Sequence, residues 1–201
     1  TINDYIVNSD GFVIANGTEG KITEAPILLK DATGNNWYGK IGDGNADFNL
    51  GFSNTFKYKN FSLYFLLDWK QGGDIYNSKS QWSTRDLRNG IVDQSGKPDG
   101  QKKTAEYYLG FYEVNTVNDF WVEDASYLKF REVALSYSLP KKMLSNTFNG
   151  VFKGVTAKMV ARNLFTITGY SGYDPEVGSV SQPYDGINKY PNYRSYGFSL
   201  A

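Results

Sequence analysis

The chain has 201 residues, and its 21 basic and 21 acidic side chains balance to a formal net charge of zero, so neither a nucleic-acid surface nor an acidic substrate is implied. It contains no cysteine and no histidine, which removes disulfide frameworks, thiolate nucleophiles, histidine-based triads and nearly all zinc chemistry. Sixteen Tyr, 13 Phe and 21 Gly favour strands and tight turns over helices.

Residues 1–47 carry the turn-rich stretches ANGTEGK, KDATGNNW and KIGDGNADF and read as a loop or small extramembrane hairpin. TINDYIVNSDGF, at the N-terminus, has no basic segment followed by an apolar one, so no signal peptide is expected within this chain. The longest apolar run, LYFLL at 63–67, is far shorter than the roughly 18 residues of a spanning helix. Membrane strands, which alternate, are untouched by that argument.

The first strong element is FNLGFSNTFKY at 48–58. Phe48, Leu50, Phe52, Phe56 and Tyr58 fall on one face, and Asn49, Gly51, Ser53, Thr55 and Lys57 on the other. A turn at Lys59 and Asn60 leads into FSLYFLLDWK, with Phe61, Leu63, Phe65, Leu67 and Trp69 sharing a face, so a tight hairpin is predicted. A polar segment at about 71–121 follows, much longer than an ordinary strand connection, with local helix suggested at KKTAEYYLGFYEV.

VEDASYLKFREVALSYSLPKK, at 122–142, forms the third strand. Its alternation changes phase, since Leu128 and Phe130 are apolar at even positions but Val133, Leu135, Tyr137 and Leu139 at odd ones, which predicts a bulge near Arg131 and Glu132. Below it the odd face would meet lipid while Glu132, Ala134, Ser136 and Ser138 face a wet lumen. Lys129 and Arg131 would emerge among outer headgroups. Val133 to Leu139 is seven residues, short of the roughly 9–11 of a tilted membrane strand. A turn at LPKKMLSNTFNG, a fourth strand VTAKMVARN, a loop at about 166–192 and a closing strand YRSYGFSLA complete the chain.

Connections thus alternate short and long, as they do between the periplasmic turns and outer loops of outer-membrane barrels. Phe48, Tyr58, Phe61, Trp69 and Tyr196 stand at strand ends, where aromatic girdles meet headgroups. Five strands cannot close a transporter-sized barrel, so the chain is expected to be the C-terminal part of a larger one.

Other motifs fall short of a site. Asp43, Asn45 and Asp47 match the start of a calcium loop, but Phe48 stands where Gly is needed and Asn54 where a bidentate Glu belongs. Gly90, Gly96 and Lys97 have the wrong spacing for a phosphate loop, and Pro98 replaces its Ser or Thr. The carboxylate pairs Glu123 with Asp124 and Asp174 with Glu176 read as solvated surface rather than as the acid and base of a glycosidase. Asn16 with Thr18 and Asn60 with Ser62 fit a glycosylation sequon that a bacterial protein would not normally use. No catalytic residue, metal or cofactor is expected.

Four stretches together, IGDGNADFNLGFSNTFKYKNFSLYFLLDWKQGGDIYN, VEDASYLKFREVALSYSLPKKML, ARNLFTITGYSGYDPEV and YPNYRSYGFSLA, resemble the last third of the barrel of SusC/RagA-like TonB-dependent outer-membrane transporters. Ala46 stands where that family usually has Pro, and Ala201 where it ends in an aromatic residue, so a few terminal residues are expected to be missing. The resemblance implies an all-β antiparallel transmembrane barrel of about 22 strands with long extracellular loops, in the outer membrane of a Gram-negative bacterium. It also implies a plug outside this chain that contacts TonB, a SusD-like surface lipoprotein as lid, and import of glycan oligosaccharides or peptides. In that topology the 57–61 and 139–150 turns and the C-terminus are periplasmic, and loops 71–121 and 166–192 face outward. Trp82, Trp121, Tyr173 and Tyr184 are then the candidates for stacking on sugar rings or peptide side chains, because aromatic faces offer large contact area with a polar edge. A secreted carbohydrate-binding β-sandwich or a surface adhesin is the alternative, distinguished by which face of FNLGFSNTFKY is covered.

Overall fold

The structure is a computed structural model that describes residues 2–113, 117–147, 151–179, 181–186 and 189–201. Its strands, in chain order, are β1 (Tyr5–Val7), β2 (Val13–Ala15), β3 (Phe48–Tyr58), β4 (Phe61–Gln71), β5 (Asp74–Tyr76), β6 (Val122–Asp124), β7 (Tyr127–Ser138), β8 (Thr156–Arg162), β9 (Thr166–Thr168) and β10 (Ser195–Leu200). Three helices, α1 (Ser78–Arg85), α2 (Ala105–Tyr112) and α3 (Lys141–Thr147), lie between them. The fold is therefore mostly strand, and the chain divides into two bodies.

One body comprises Gly44–Asp74, Asp124–Gln182 and Tyr190–Ala201. Its antiparallel sheet runs in the order β10-β8-β7-β4-β3, with β9 also paired to β7. The expected hairpin is present, with Tyr58 paired to Phe61 and Phe48 to Gln71. At eleven residues each, β3 and β4 are about 36 Å long, which at a tilt near 45° gives a height of about 26 Å, the thickness of a barrel's apolar band.

The pairing of β4 with β7 shifts register between Leu66 and Leu67, which face Glu132 and Phe130, so Arg131 is the extra residue of a bulge at the place where the apolar pattern changes phase. The bulge keeps the faces constant while the numbering parity switches. Leu128, Phe130, Val133, Leu135 and Tyr137 form one continuous apolar side, opposite Trp69, Leu67, Phe65, Leu63 and Phe61. Tyr127, Lys129, Arg131, Glu132, Ala134 and Ser136 form one polar side. The shortfall of the seven residues Val133 to Leu139 is thereby removed, because the twelve residues of β7 present a single apolar face throughout. Met159 and Ala161 of β8, then Phe198 and Tyr196 of β10, extend that face across the sheet.

Nothing among the described residues packs a second layer onto this face. Phe52 is 48% exposed, Phe198 66%, and all of β3 is exposed. A β-sandwich would bury this surface, so the pattern speaks against that alternative. Aromatics mark both ends of the hairpin, with Phe61 against Tyr137 at ring centroids of 4.6 Å at one end and Phe48 edge-on to Trp69 at 5.0 Å at the other.

Two extents differ from the sequence reading. LPKKMLSNTFNG contains a helix, α3, whose start follows Pro140 as the amides of Met143 and Leu144 donate to its carbonyl; residues 148–150 of that stretch lie outside the described residues. The segment from 166 begins as strand, because Asn163, at φ 50°, lets the chain kink and β9 rejoin β7.

The other body comprises Thr1–Asp43, Ile75–Glu123 and Pro183–Lys189. It holds the β1–β2 hairpin, most of the short β5–β6 sheet, α1 and α2. Helix α2 starts where the Thr104 side chain accepts from the Tyr107 amide, and it places Tyr107, Tyr108 and Phe111 inward. With Trp121 these make the core, onto which Phe12, Tyr76, Val92, Val117 and Phe120 pack. An ionic pair is sealed beside it. The Lys103 ammonium lies 2.7 Å from Glu24, which also accepts from the Asn8 amide group at 2.8 Å, while that same group reaches the Tyr107 hydroxyl. Burial opposes ionisation of Glu24, yet the hydrogen bonds from Lys103 and Asn8 hold its carboxyl below the ordinary value.

Candidate functional site

A densely bonded polar cluster sits on the polar side of β7. Tyr127, Lys129 and Arg131 share that side because they alternate before the bulge. Lys129 is only 2% exposed, and its ammonium contacts Asp174 at 2.6 Å and Glu176 at 2.8 Å. Arg131 forks onto Glu176, donating from Nη1 at 2.8 Å and also from Nη2, while its Nε donates to Asp68 of β4 at 2.7 Å. The Tyr127 ring lies beneath both cations, 4.9 Å from the Lys129 nitrogen. Two cations thus face three carboxylates, and the returning chain joins them: the Asn192 amide donates to Asp174 at 3.0 Å and its side chain to Glu176 at 2.7 Å.

This corrects two expectations. Lys129 and Arg131 do not emerge among headgroups, since the bulge keeps them on the polar side of the sheet, where carboxylates meet them. Asp174 and Glu176 are not solvated surface. Asp174 is buried, and its side chain also caps its own turn by accepting from the Glu176 amide at 3.1 Å. For Glu176, burial opposes ionisation, but hydrogen bonds and charge from Arg131 and Lys129 outweigh it and hold the carboxyl down at about 2. The signal was in the sequence as YDPEV downstream of YLKFRE, opposite charges in matching i, i+2 spacing, but nothing local tells which pairs meet across some 45 residues.

Beside the cluster is a polar cavity of about 240 Å³ lined by Lys129, Thr166, Tyr173, Asp174, Asn192 and Arg194, among others. Tyr173, 79% exposed, borders it. The other body has a larger cavity of about 420 Å³, whose lining includes Phe12, Ile27, Leu29, Trp37, Tyr38 and Phe120. The sequence did not single out Trp37 or Tyr38, which lie in turn-rich, unpatterned chain.

The remaining aromatic candidates have different settings. Trp82 on α1 is half-buried, edge-on to Tyr112 at 5.6 Å with the Arg85 guanidinium 4.5 Å over its ring. Trp121 is 2% exposed, and its indole N–H donates to the Phe111 carbonyl at 2.8 Å, so its ring is committed to the core. Tyr184 is 42% exposed, stacks on Tyr76 at 5.9 Å, and accepts a hydrogen bond from Ser78 at 2.9 Å. Trp82, Trp121 and Tyr184 thus belong to one body and Tyr173 to the other.

No protein-family model matches the chain. It is 27% identical over 175 residues to TonB-dependent receptor P3 of Formosa agariphila, covering 80% of this chain and 16% of that protein. It is also 27% identical over 159 residues to TonB-dependent receptor SusC of Bacteroides thetaiotaomicron, covering 77% of this chain and 15% of that protein. The chain thus spans about a sixth of the length of these curated relatives. Among solved structures, the RagAB peptide importer in its closed-closed state superposes over 98% of this chain and 22% of that one, with a TM-score of 0.66 at 21% identity, a likeness of fold.

Proposed function

We propose that the chain, similar in sequence to TonB-dependent receptors including SusC, is SusC/RagA-like and forms the C-terminal strands of a TonB-dependent outer-membrane transporter that imports nutrients, either glycan oligosaccharides or peptides. The observation that carries this reading is the apolar face continuous from β3 to β10, left uncovered by the described residues and backed by a polar face that carries paired charged side chains. Lipid is the solvent that such a face requires, and a hydrated lumen suits the other. The remaining strands, closing a barrel of about 22, would pair with the two edges β3 and β10.

In this reading the hairpin turn at Lys59 and Asn60, the α3 connection and the C-terminus are periplasmic, and residues 71–121 and 166–192 reach outward. A SusD-like lipoprotein would close the outer side and TonB would act through a plug outside this chain, so the segment serves transport and not catalysis. Tyr173 and Tyr184 offer exposed ring faces to a ligand and Trp82 a partial one, while Trp121 supports its loop from within. Replacing Trp82, Tyr173 and Tyr184 by Ala in the full-length transporter is expected to weaken substrate binding. Unchanged affinity in the triple variant would remove these residues from the site.

A further inference from the structure

We propose that the cluster of Lys129, Arg131, Asp68, Asp174 and Glu176 is a clasp that holds the outer segment from Tyr170 to Val177 in a single pose, making Lys129 and Arg131 positioning residues for Tyr173 and the cavity beside it. The bulge supplies the geometry. By inserting Arg131 as an extra residue, it places a guanidinium between β4 and the outer segment, where one side chain reaches Asp68 and Glu176 together. The clasp closes from both sides, because Asn192 on the returning chain bonds Asp174 and Glu176 as well.

Within the segment Tyr170 and Asp174 are buried, so the charged cluster acts beside an anchored start. Gly169 precedes the segment and Gly172 interrupts it, Ser171 and Tyr173 are exposed to solvent, and β9 before it contributes three paired residues. A segment without extended strand pairing depends on the few groups it buries and on the specific bonds it makes. Here these are charged bonds, with Lys129 and Asp174 out of water and Arg131, Asp68 and Glu176 partly so, and removing one partner strands the other. Tyr173 is adjacent to Asp174, so its ring position follows the carboxylate that Lys129 fixes.

The outward placement of this segment rests on the transporter reading, and the experiment separates the two. In intact cells carrying the full-length transporter, protease cleavage within 170–177 and reaction of Tyr173→Cys with a membrane-impermeant maleimide are followed over time. This chain has no cysteine of its own, which leaves Tyr173→Cys as its single reporter. Glu176→Gln and Lys129→Met are expected to speed cleavage roughly tenfold or more while heat-modifiable gel mobility shows the barrel still folded. Arg131→Lys, which keeps the charge and loses the fork, should give a smaller rise, and Glu132→Gln, which touches Arg162 instead, none.

Cleavage unchanged in Glu176→Gln, or a fall in barrel stability without any local rise in cleavage, would overturn the clasp. Should Lys129→Met fail to assemble, Glu176→Gln alone decides the matter. Maleimide reaction only after the outer membrane is permeabilised would instead overturn the outward reading, whatever the cleavage rates show.

Discussion

Leu66 and Leu67 are neighbours on β4 with opposite surroundings, and on the proposed reading substituting each by Arg separates a lipid-facing from a lumen-facing position within one dipeptide. Leu67 pairs with Phe52 and Phe130 on the apolar side, and Leu66 with Ser53 and Glu132 on the polar side. Leu67 is four residues from Gln71, about 13 Å along the strand and so about 9 Å in depth at a 45° tilt. An arginine there can snorkel only part of the way to the headgroups, so a cost in the lower part of the barrel range is expected, about 2–3 kcal/mol, or roughly 30- to 150-fold in the folding equilibrium. Leu66→Arg meets water and the Glu132 carboxylate and should cost about 1 kcal/mol or less. The assay is reversible urea unfolding of the full-length transporter in lipid vesicles, monitored by tryptophan fluorescence. Equal costs at the two positions would refute the assignment of faces. So would a cost at Phe61→Arg, at the strand end, as large as at Leu67, because a bilayer penalty depends on depth.

Three further outcomes follow from the ion pairs and the core. Because Glu176 is held at about 2, below its ordinary 4.5, the stability it contributes is complete above about pH 4.5 and is lost as pH falls toward 2. Its full linkage value is roughly 3 kcal/mol, discounted to about 2 because a third of the side chain is exposed; Glu176→Gln should flatten the acid dependence of cleavage within 170–177, and an unchanged profile would exclude Glu176 as its source. Lys103→Met leaves Glu24 buried without its cation and should destabilise the body around α2 by about 3–5 kcal/mol, seen as faster amide exchange in 105–112; exchange at the native rate would count against the pair. Trp121→Ala removes a core ring and the bond to Phe111, and a loss of about 3–5 kcal/mol in that same exchange is expected, whereas a loss below about 1 would contradict its burial.

Much of the sheet was legible because a membrane strand writes its faces at period two. FNLGFSNTFKY and FSLYFLLDWK keep a period of two over eleven and ten residues, departing from it only at Asn54, Tyr64 and Leu66, and the observed β3 and β4 match them to within a residue. Even the bulge could be read, since one inserted residue reverses the parity of Leu128 and Phe130 against Val133 and Leu135. Its consequence was harder to see. Parity fixes a face only relative to neighbours in the same strand, so whether Lys129 and Arg131 join the polar side depends on pairing with β4, which sequence alone does not contain.

The clasp shows the same limit, because Asp174 and Glu176 look like surface carboxylates until the chain brings them back to β7. Helix α1 was missed for a local reason. SKSQWSTR is polar and carries no apolar stripe, and it is held by its cap, where Asn77 accepts from the Ser80 amide, and by buried Gln81 and Thr84. Of the aromatic candidates, residue type gave no warning that Trp121 is core while Tyr173 is exposed, since both sit in long polar segments.

The central claim is that one face of this sheet meets lipid and the other water, with the switch of parity at Arg131. Single spin labels placed at every residue of β7 in the full-length transporter, in vesicles, test it through accessibility to oxygen, which partitions into lipid, and to a water-soluble nickel chelate. Oxygen maxima are predicted at 128, 130, 133, 135 and 137, with oxygen minima at 127, 129, 134 and 136 and nickel access confined to that second side. Alternation that continues unbroken through 131, or nickel access equal on both faces, would contradict the account.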